Sequence, residues 1–366
     1  MTSAQTAGIN FFPTQILTWG VYPYLCKLLF VSSLSLSFAT GVFAHDQKDH
    51  SAHNINADYA VSSQWADLAN GKHKIGKAHG EIAISAQGNF YLSLMTDSKQ
   101  RGGIHVYSPQ GTFIKEVPGA PDDFHSFVIN TDKSGEEYIY GASLKNRQIV
   151  KMSLDGKRIL ELDATSLIPK QYQKLDPSNK KAPPLMLSGI AVDESENIYV
   201  VDGYSLDYIH QFNAKGKYIT TFGGQQAPYK FDNCHKISID PRFSPNRLLC
   251  TDRKNGRLVH MTLDGELIGD LVVNLRRPSA VAFYKDLLAV AEISGRLSLF
   301  DKTGSLVKTL GTNEVLEEIN TNLVAPDKWR KGVLTAPHGI TFDKHGNLFI
   351  TEWNKWGRIV RFDVQE

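Results

Sequence analysis

The chain has 366 residues, of which 42% are hydrophobic and 21% charged, the composition of an ordinary globular protein whose length suits a single repeat array. Its formal charge of +2, with no basic stripe, excludes electrostatically driven nucleic-acid binding as an expectation. Beyond the N-terminal leader no stretch is long and apolar enough to span a bilayer.

Lys27, the apolar run from Leu28 to Phe43 and the small-residue ending Val42-Phe43-Ala44 have the form of a secretion signal. They predict a cleaved leader over residues 1–44 and a secreted or periplasmic chain beginning at His45, with no membrane partner after cleavage. A retained anchor is the alternative, but the run is short for a membrane span. Residues 45–57 are polar and lack a core-forming pattern, which predicts a disordered linker rather than a metal-binding tail. Of the three cysteines, Cys26 falls in the leader. Cys234 and Cys250 would then sit in an oxidising setting, where a disulfide and two buried thiols are both open readings.

From Tyr59 onward the chain reads as short strands. A run from Tyr59 to Trp65 is followed by six variations on one phrase, whose fullest form is Leu187 to Tyr204: two strands rich in Val, Ile and Tyr, joined by a polar turn. The copies start at Gly80, His125, Ser188, His235, Ser279 and His338. Most continue into a third strand, a Gly-containing turn such as Asp155-Gly156 or Asp264-Gly265, and a fourth strand. Four antiparallel strands per copy predict an all-β six-bladed propeller over residues 58–366. The sixth copy stops after three strands, so the run at Tyr59 is expected to supply the missing outer strand and close the ring. Two insertions, Asp163 to Met186 and Gly311 to Ala336, join consecutive blades on the face where blades begin; Thr312 to Leu323 in the second has helical composition.

Aligned on their first strands, the copies place Gly80, His125, Ser188, His235, Ser279 and His338 at the mouth of a central channel. Histidine occupies alternate blades, so three imidazoles would converge near the axis. That is a donor set for zinc or another divalent metal with a position left open for water or substrate. Packing or loop hydrogen bonding is the bland reading of any one such histidine. The second strands of blades three to six end in Asp202, Asp252, Glu292 and Glu352, which read as turn caps. Tyr204 and Arg253, just beyond two of these acids, would overhang the same mouth.

The phrases Ala336-Pro337-His338-Gly339-Ile340 and Asp252-Arg253-Lys254-Asn255-Gly256-Arg257 resemble NHL-repeat propellers. Asp202-Gly203-Tyr204, Ile209-His210-Gln211-Phe212 and Gly216-Lys217-Tyr218 look more narrowly like the peptidyl-α-hydroxyglycine α-amidating lyase branch. The resemblance covers most of the chain from about residue 75 and implies zinc on His125, His235 and His338, a catalytic tyrosine at Tyr204 and an active-site arginine at Arg253. It also implies a structural calcium, yet Gly339 stands where that family has its calcium-binding aspartate. Leu94-Met95-Thr96 stands where a second arginine is expected, with Arg101 nearby, and Ser205 replaces a cysteine. The function so implied is a zinc-dependent lyase that breaks the C–N bond of a small-molecule or peptide carbinolamide at the channel mouth. Zinc and Arg253 would help the Tyr204 phenol act as a base, because a phenol with an ordinary pKa of about 10 needs nearby positive charge to do so near neutrality. A hydrolase on the same metal, and a non-catalytic platform for a peptide, glycan or protein, are the alternatives. A calcium-dependent lactonase would want carboxylate and amide ligands instead of imidazoles. A monomer is expected.

Overall fold

The computed structural model describes residues 58–62, 65, 75–96, 101–175, 178 and 183–365. The leader expected over residues 1–44, with Cys26, and the linker expected over 45–57 lie outside the described residues.

The described chain forms 24 strands in six four-stranded antiparallel sheets. Blade one is β2 (Ala78–Ile84), β3 (Phe90–Leu94), β4 (Gly103–Tyr107) and β5 (Phe113–Glu116). Blade two is β6 (Phe124–Thr131) to β9 (Arg158–Asp163), and blade three is β10 (Gly189–Val192), β11 (Ile198–Val201), β12 (Tyr208–Phe212) and β13 (Tyr218–Gly223). Blade four is β14 (Cys234–Asp240), β15 (Arg247–Asp252), β16 (Arg257–Met261) and β17 (Leu267–Val272). Blade five runs from β18 (Pro278–Tyr284) to β21 (Leu306–Leu310). Blade six is β22 (Pro337–Phe342), β23 (Leu348–Glu352) and β24 (Arg358–Val364), and its outer strand is β1 (Tyr59–Val61).

The closure by the N-terminal run is therefore present. Tyr59 pairs with Val364 and Val61 with Phe362, and the Tyr59 hydroxyl donates to the Gly346 carbonyl at 3.1 Å. Trp65 wedges its ring against Phe90 and Phe349, with centroids 4.4 and 4.9 Å away, and donates its indole N–H to Pro109 O. The same segment thus covers the last blade's edge and fills the seam between blades six and one.

Burial explains the composition of each strand. In blade three β10 and β11 are buried throughout and read as unbroken apolar runs, whereas outer strands such as β9 and β17 alternate exposed and covered positions. The apolar core is divided into clusters at the blade interfaces. One joins blades two and three through Tyr140, Leu187 and Phe212, another blades three and four through Tyr199, Ile237 and Leu248, and a third blades six and one through Phe349, Phe90 and Leu92. Each blade is consequently held by both neighbours around a closed ring. Cys234 and Cys250 form a disulfide between the first two strands of blade four, which decides the open question in favour of the bonded pair.

The insertions contain little regular structure. Thr312 to Leu323, whose composition reads as helical, supplies one 3-10 turn at Leu316–Glu318. Asn313 accounts for the difference: its carboxamide accepts the Val315 N–H and receives an Arg330 guanidinium N–H, fixing a local turn that competes with helix.

Candidate functional site

In blades three to six the segment entering the first strand is tied at the channel mouth by the acid that ends the second strand. Asp202 accepts the Met186 N–H at 2.5 Å, Asp252 accepts that of Asp232 at 2.9 Å, and Glu352 accepts that of Ala336 at 3.2 Å. Arg257, Arg296 and Arg358 neutralise Asp252, Glu292 and Glu352, so these buried carboxylates sit in paired surroundings. The acids are turn caps, as their positions imply, and they fix the segments that carry the mouth residues.

In blades two, four and six a one-residue irregularity then takes the histidine out of the strand ladder. Phe124 pairs with Ser143 and Ser126 with Ala142, leaving His125 out of the ladder; Pro337 pairs with Glu352 and Gly339 with Thr351, leaving out His338. Such bulges commonly re-aim side chains at active sites. In blade four the ladder breaks between Cys234 and Ile237, which frees His235.

The result is a packed imidazole cluster. The rings of His125, His235 and His338 lie 4.9 to 5.0 Å apart, centroid to centroid. His125 Nδ1 donates to Ser188 O and His235 Nδ1 to Ser279 O, both at 2.7 Å. Those bonds leave Nε2 of each as the lone-pair nitrogen, the orientation that metal-bound histidines take when a carbonyl holds the other nitrogen. His338 Nε2 is buried with no hydrogen-bond partner, an unsatisfied polar atom of the kind that a bound ion would explain. Burial pushes His125 down to about 4, and His235 and His338 lie well below the ordinary histidine range for the same reason, with Arg253 and neighbouring imidazoles adding repulsion. Buried neutral imidazoles are donors that suit a divalent first-row metal, and the ligand nitrogens of His79, His125 and His338 lie within 4.8 Å of one another.

Tyr204 reaches into this cluster. Its hydroxyl is 3.1 Å from His125 Nε2 and 2.9 Å from His235 Nε2, and Arg253 Nη1 is 3.5 Å from the same oxygen. Gly203 makes that reach feasible. A Cβ there would stand 2.0 Å from Cys234 O, so only glycine lets the turn between Asp202 and Tyr204 lie against blade four. Arg253 is buried, donates from Nη2 to Ser279 Oγ at 3.3 Å and leaves Nε without a partner.

Three residues of this site are not apparent from the repeat pattern. His79, not Gly80, holds the blade-one mouth position: its ring lies 4.9 Å from His125, 4.8 Å from His338 and 5.5 Å from Trp353. Arg277 lies close enough to Arg253 to oppose its charge, and its buried Nε has no partner. A conspicuous signal for Arg277 is its place two residues before Ser279. Trp353 follows the Glu352 cap and contacts His79. At the positions where a second arginine was expected, Leu94 and Met95 are buried apolar side chains, and Arg101 is exposed.

Below the imidazoles a cavity of about 330 Å³ runs along the axis, lined by first strands including Ala191, Val281 and Ile340. The Lys236 ammonium and the Glu81 carboxylate meet across it, both buried. Burial lowers Lys236 to about 7. This arrangement does not fit a structural calcium. A Cβ on Gly339 would already stand 2.6 Å from Thr351 Oγ1 and 2.9 Å from Gly80 O, leaving no room for an aspartate, and the neighbouring carboxylate is taken by Lys236.

No family model matches the chain. Among curated proteins it is 28% identical over 155 residues to peptidyl-glycine alpha-amidating monooxygenase of Mus musculus and 27% identical over 155 residues to that of Rattus norvegicus. Each match covers 36% of this chain and 15% of the relative, so the chain spans well under two thirds of those proteins. A streptogramin B lyase structure superposes with a TM-score of 0.51 at 18% identity, covering 84% of this chain and 98% of that one. A gluconolactonase from Xanthomonas campestris superposes at 0.54 and 12% identity, covering 80% and 89%. Such low identities establish the fold they share. The chain is a six-bladed β-propeller with distant sequence similarity to the peptidylglycine alpha-amidating monooxygenases.

Proposed function

We propose that the protein is an exported, metal-dependent lyase that cleaves the C–N bond of a carbinolamide, with zinc as the metal and a peptide or small-molecule substrate at the channel mouth. The observation that carries this reading is the placement of one phenol oxygen within 3.1 Å of two histidine Nε2 atoms and beside a buried guanidinium. The similarity to amidating monooxygenases favours this chemistry over others that propellers host. The Cys234–Cys250 disulfide supports export to an oxidising compartment.

His125, His235 and His338 would hold the metal, which supplies a Lewis acid for the substrate oxygen. Tyr204 is the base. As a phenolate its oxygen takes the hydroxyl proton, the electron pair left on the substrate oxygen forms a carbonyl, and the C–N bond breaks to release an aldehyde and a primary amide whose nitrogen receives that proton from the Tyr204 phenol. Arg253 holds positive charge beside the Tyr204 oxygen and so favours the phenolate that accepts the proton. Arg253 and Arg277 together offer cationic charge to a carboxylate on the substrate. Ser188 and Ser279 carbonyls keep two imidazoles in the tautomer the site needs.

Turnover of an α-hydroxyglycine peptide by metal-loaded protein tests the reading directly. Amide release is expected, and Tyr204→Phe should lower it by about 10²- to 10⁴-fold while metal content stays unchanged. Metal-loaded protein that releases no amide overturns the lyase; a Tyr204→Phe variant of full activity overturns the role of the phenol.

A further inference from the structure

Glu81 on β2 and Lys236 on β14 come from opposite blades, and their side chains meet in the central channel with 6% and 8% of their surface exposed. The two oxygens of Glu81 serve different neighbours. Oε2 takes the Lys236 Nζ contact, whereas a Cβ on Gly339 in blade six would stand 3.0 Å from Oε1, 2.9 Å from Gly80 O and 2.6 Å from Thr351 Oγ1. Thr351 Oγ1 donates to Gly80 O at 3.2 Å and accepts the Gly339 N–H at 3.1 Å. Blades one and six thus bring a carboxylate, a carbonyl and a hydroxyl oxygen together, and blade four supplies the ammonium that neutralises the carboxylate.

We propose that Lys236 is the built-in cation of the channel: its ammonium takes the place of a structural calcium where blades one, four and six meet, and the closed ring needs no free ion there. Hard oxygens of this kind are what calcium recruits, but calcium fills about six to eight oxygen positions and carries two charges. The Glu81 carboxylate is matched by one ammonium. A buried carboxylate demands such a partner, because losing its water without one is strongly unfavourable. A cation tethered to the chain meets that demand at any ion concentration, whereas a bound ion stabilises only by mass action.

The lysine is positioned for this role by its backbone. Its N–H donates to Thr251 Oγ1 at 2.9 Å and its carbonyl accepts from the same hydroxyl at 3.3 Å, which fixes the residue in the bulge that also carries His235. First-strand residues such as Ala191, Val281 and Ile340 line the same cavity, an apolar wall that strengthens the attraction between the charges relative to water.

The calcium dependence of thermal unfolding tests this without any activity assay. Full-length wild-type protein, dialysed free of calcium, should melt at the same temperature to within about 1 °C with and without about 10 mM calcium, because an ion that finds no site adds no stability. Lys236→Ala vacates the position beside Glu81 and should make the ring responsive: its lowered melting temperature should rise by about 2 °C in about 10 mM calcium, the shift that millimolar binding gives. Glu81→Gln combined with Lys236→Ala removes the carboxylate as well and should again ignore calcium. Should Lys236→Ala fail to fold alone, its refolding yield with and without calcium gives the same reading. Wild-type protein stabilised by calcium, or a Lys236→Ala variant indifferent to it, overturns the proposal. Neither result depends on whether the mouth binds zinc or the protein releases amide.

Discussion

Blades one and four stand opposite each other in the ring and are built on one plan, with a single residue between them. In blade four, Cys234 pairs with Asp252 and Ile237 with Cys250, so His235 and Lys236 together face Thr251. In blade one, Ala78 pairs with Leu94 and Ile82 with Leu92, so His79, Gly80 and Glu81 face Ser93. In both, the facing hydroxyl accepts the N–H of the charged residue: Thr251 from Lys236 at 2.9 Å, Ser93 from Glu81 at 2.8 Å. Glu81 is thus the counterpart of Lys236, His79 that of His235, and Gly80 is the insertion. The comparison teaches that a bulge can lengthen without moving either of its chemically important ends.

The salt bridge joining the two blades offers the largest test of that equivalence. Removing Lys236 alone strands the Glu81 carboxylate in a buried channel, and Lys236→Met should cost about 3–5 kcal/mol in denaturant unfolding. Glu81→Gln combined with Lys236→Met should recover all but about 1 kcal/mol, because a buried pair adds little net stability over apolar or neutral replacements. Equal losses in the single and double variants would break the pairing of the blades.

Acid tests what the blades share, a set of imidazoles kept neutral by burial. His125 is pushed down to about 4, against about 6.5 in an unfolded chain. Between those values the unfolded chain binds more protons than the folded one. The stability contribution is therefore complete above about pH 6.5 and is lost as pH falls through about 4, to the extent of about 3 kcal/mol from His125 alone. Unfolding free energies of metal-free protein that stay level from pH 7 to 4 would contradict this.

The inserted glycine gives the smallest effect. Gly80→Ala should cost about 1–3 kcal/mol through overpacking against Ser93, and it should shift His79 without shifting His235. Chemical shifts of the two imidazoles report the difference; equal movement of both would mean that the blades are not independently clamped.

The same inserted residue marks the limit of reading this site from sequence. Blades, their four strands, the closing N-terminal strand and the mouth positions of His125, His235 and His338 follow from repeated alternation and turns, because each copy repeats the same burial. Counting back one residue from Glu81, as from Lys236, lands on Gly80 and passes over His79. The ladder pairing that defines the mouth position is a property of two strands, and a one-residue bulge is silent in the alternation of either. A detectable sign was the facing hydroxyl, Ser93 in blade one against Thr251 and Thr351 elsewhere, which aligns Glu81 with Lys236 and Gly339. Arg277 escaped for a different reason: it lies before the strand, in a segment whose position is set by the Glu292 cap and not by the repeat.

The strap that β1 makes across β24 has a temporal consequence. Chains emerge from synthesis N-terminus first, so β1 is available long before its partner exists. Until residues 358–364 arrive, β1 has no ladder to join, Trp65 has no Phe349 to pack on, and His338 is absent from the mouth. Assembly of the imidazole cluster is thereby timed to the synthesis of blade six: a chain stalled before His338 can form early blades but not the centre, and ring closure signals that all six blades have been made.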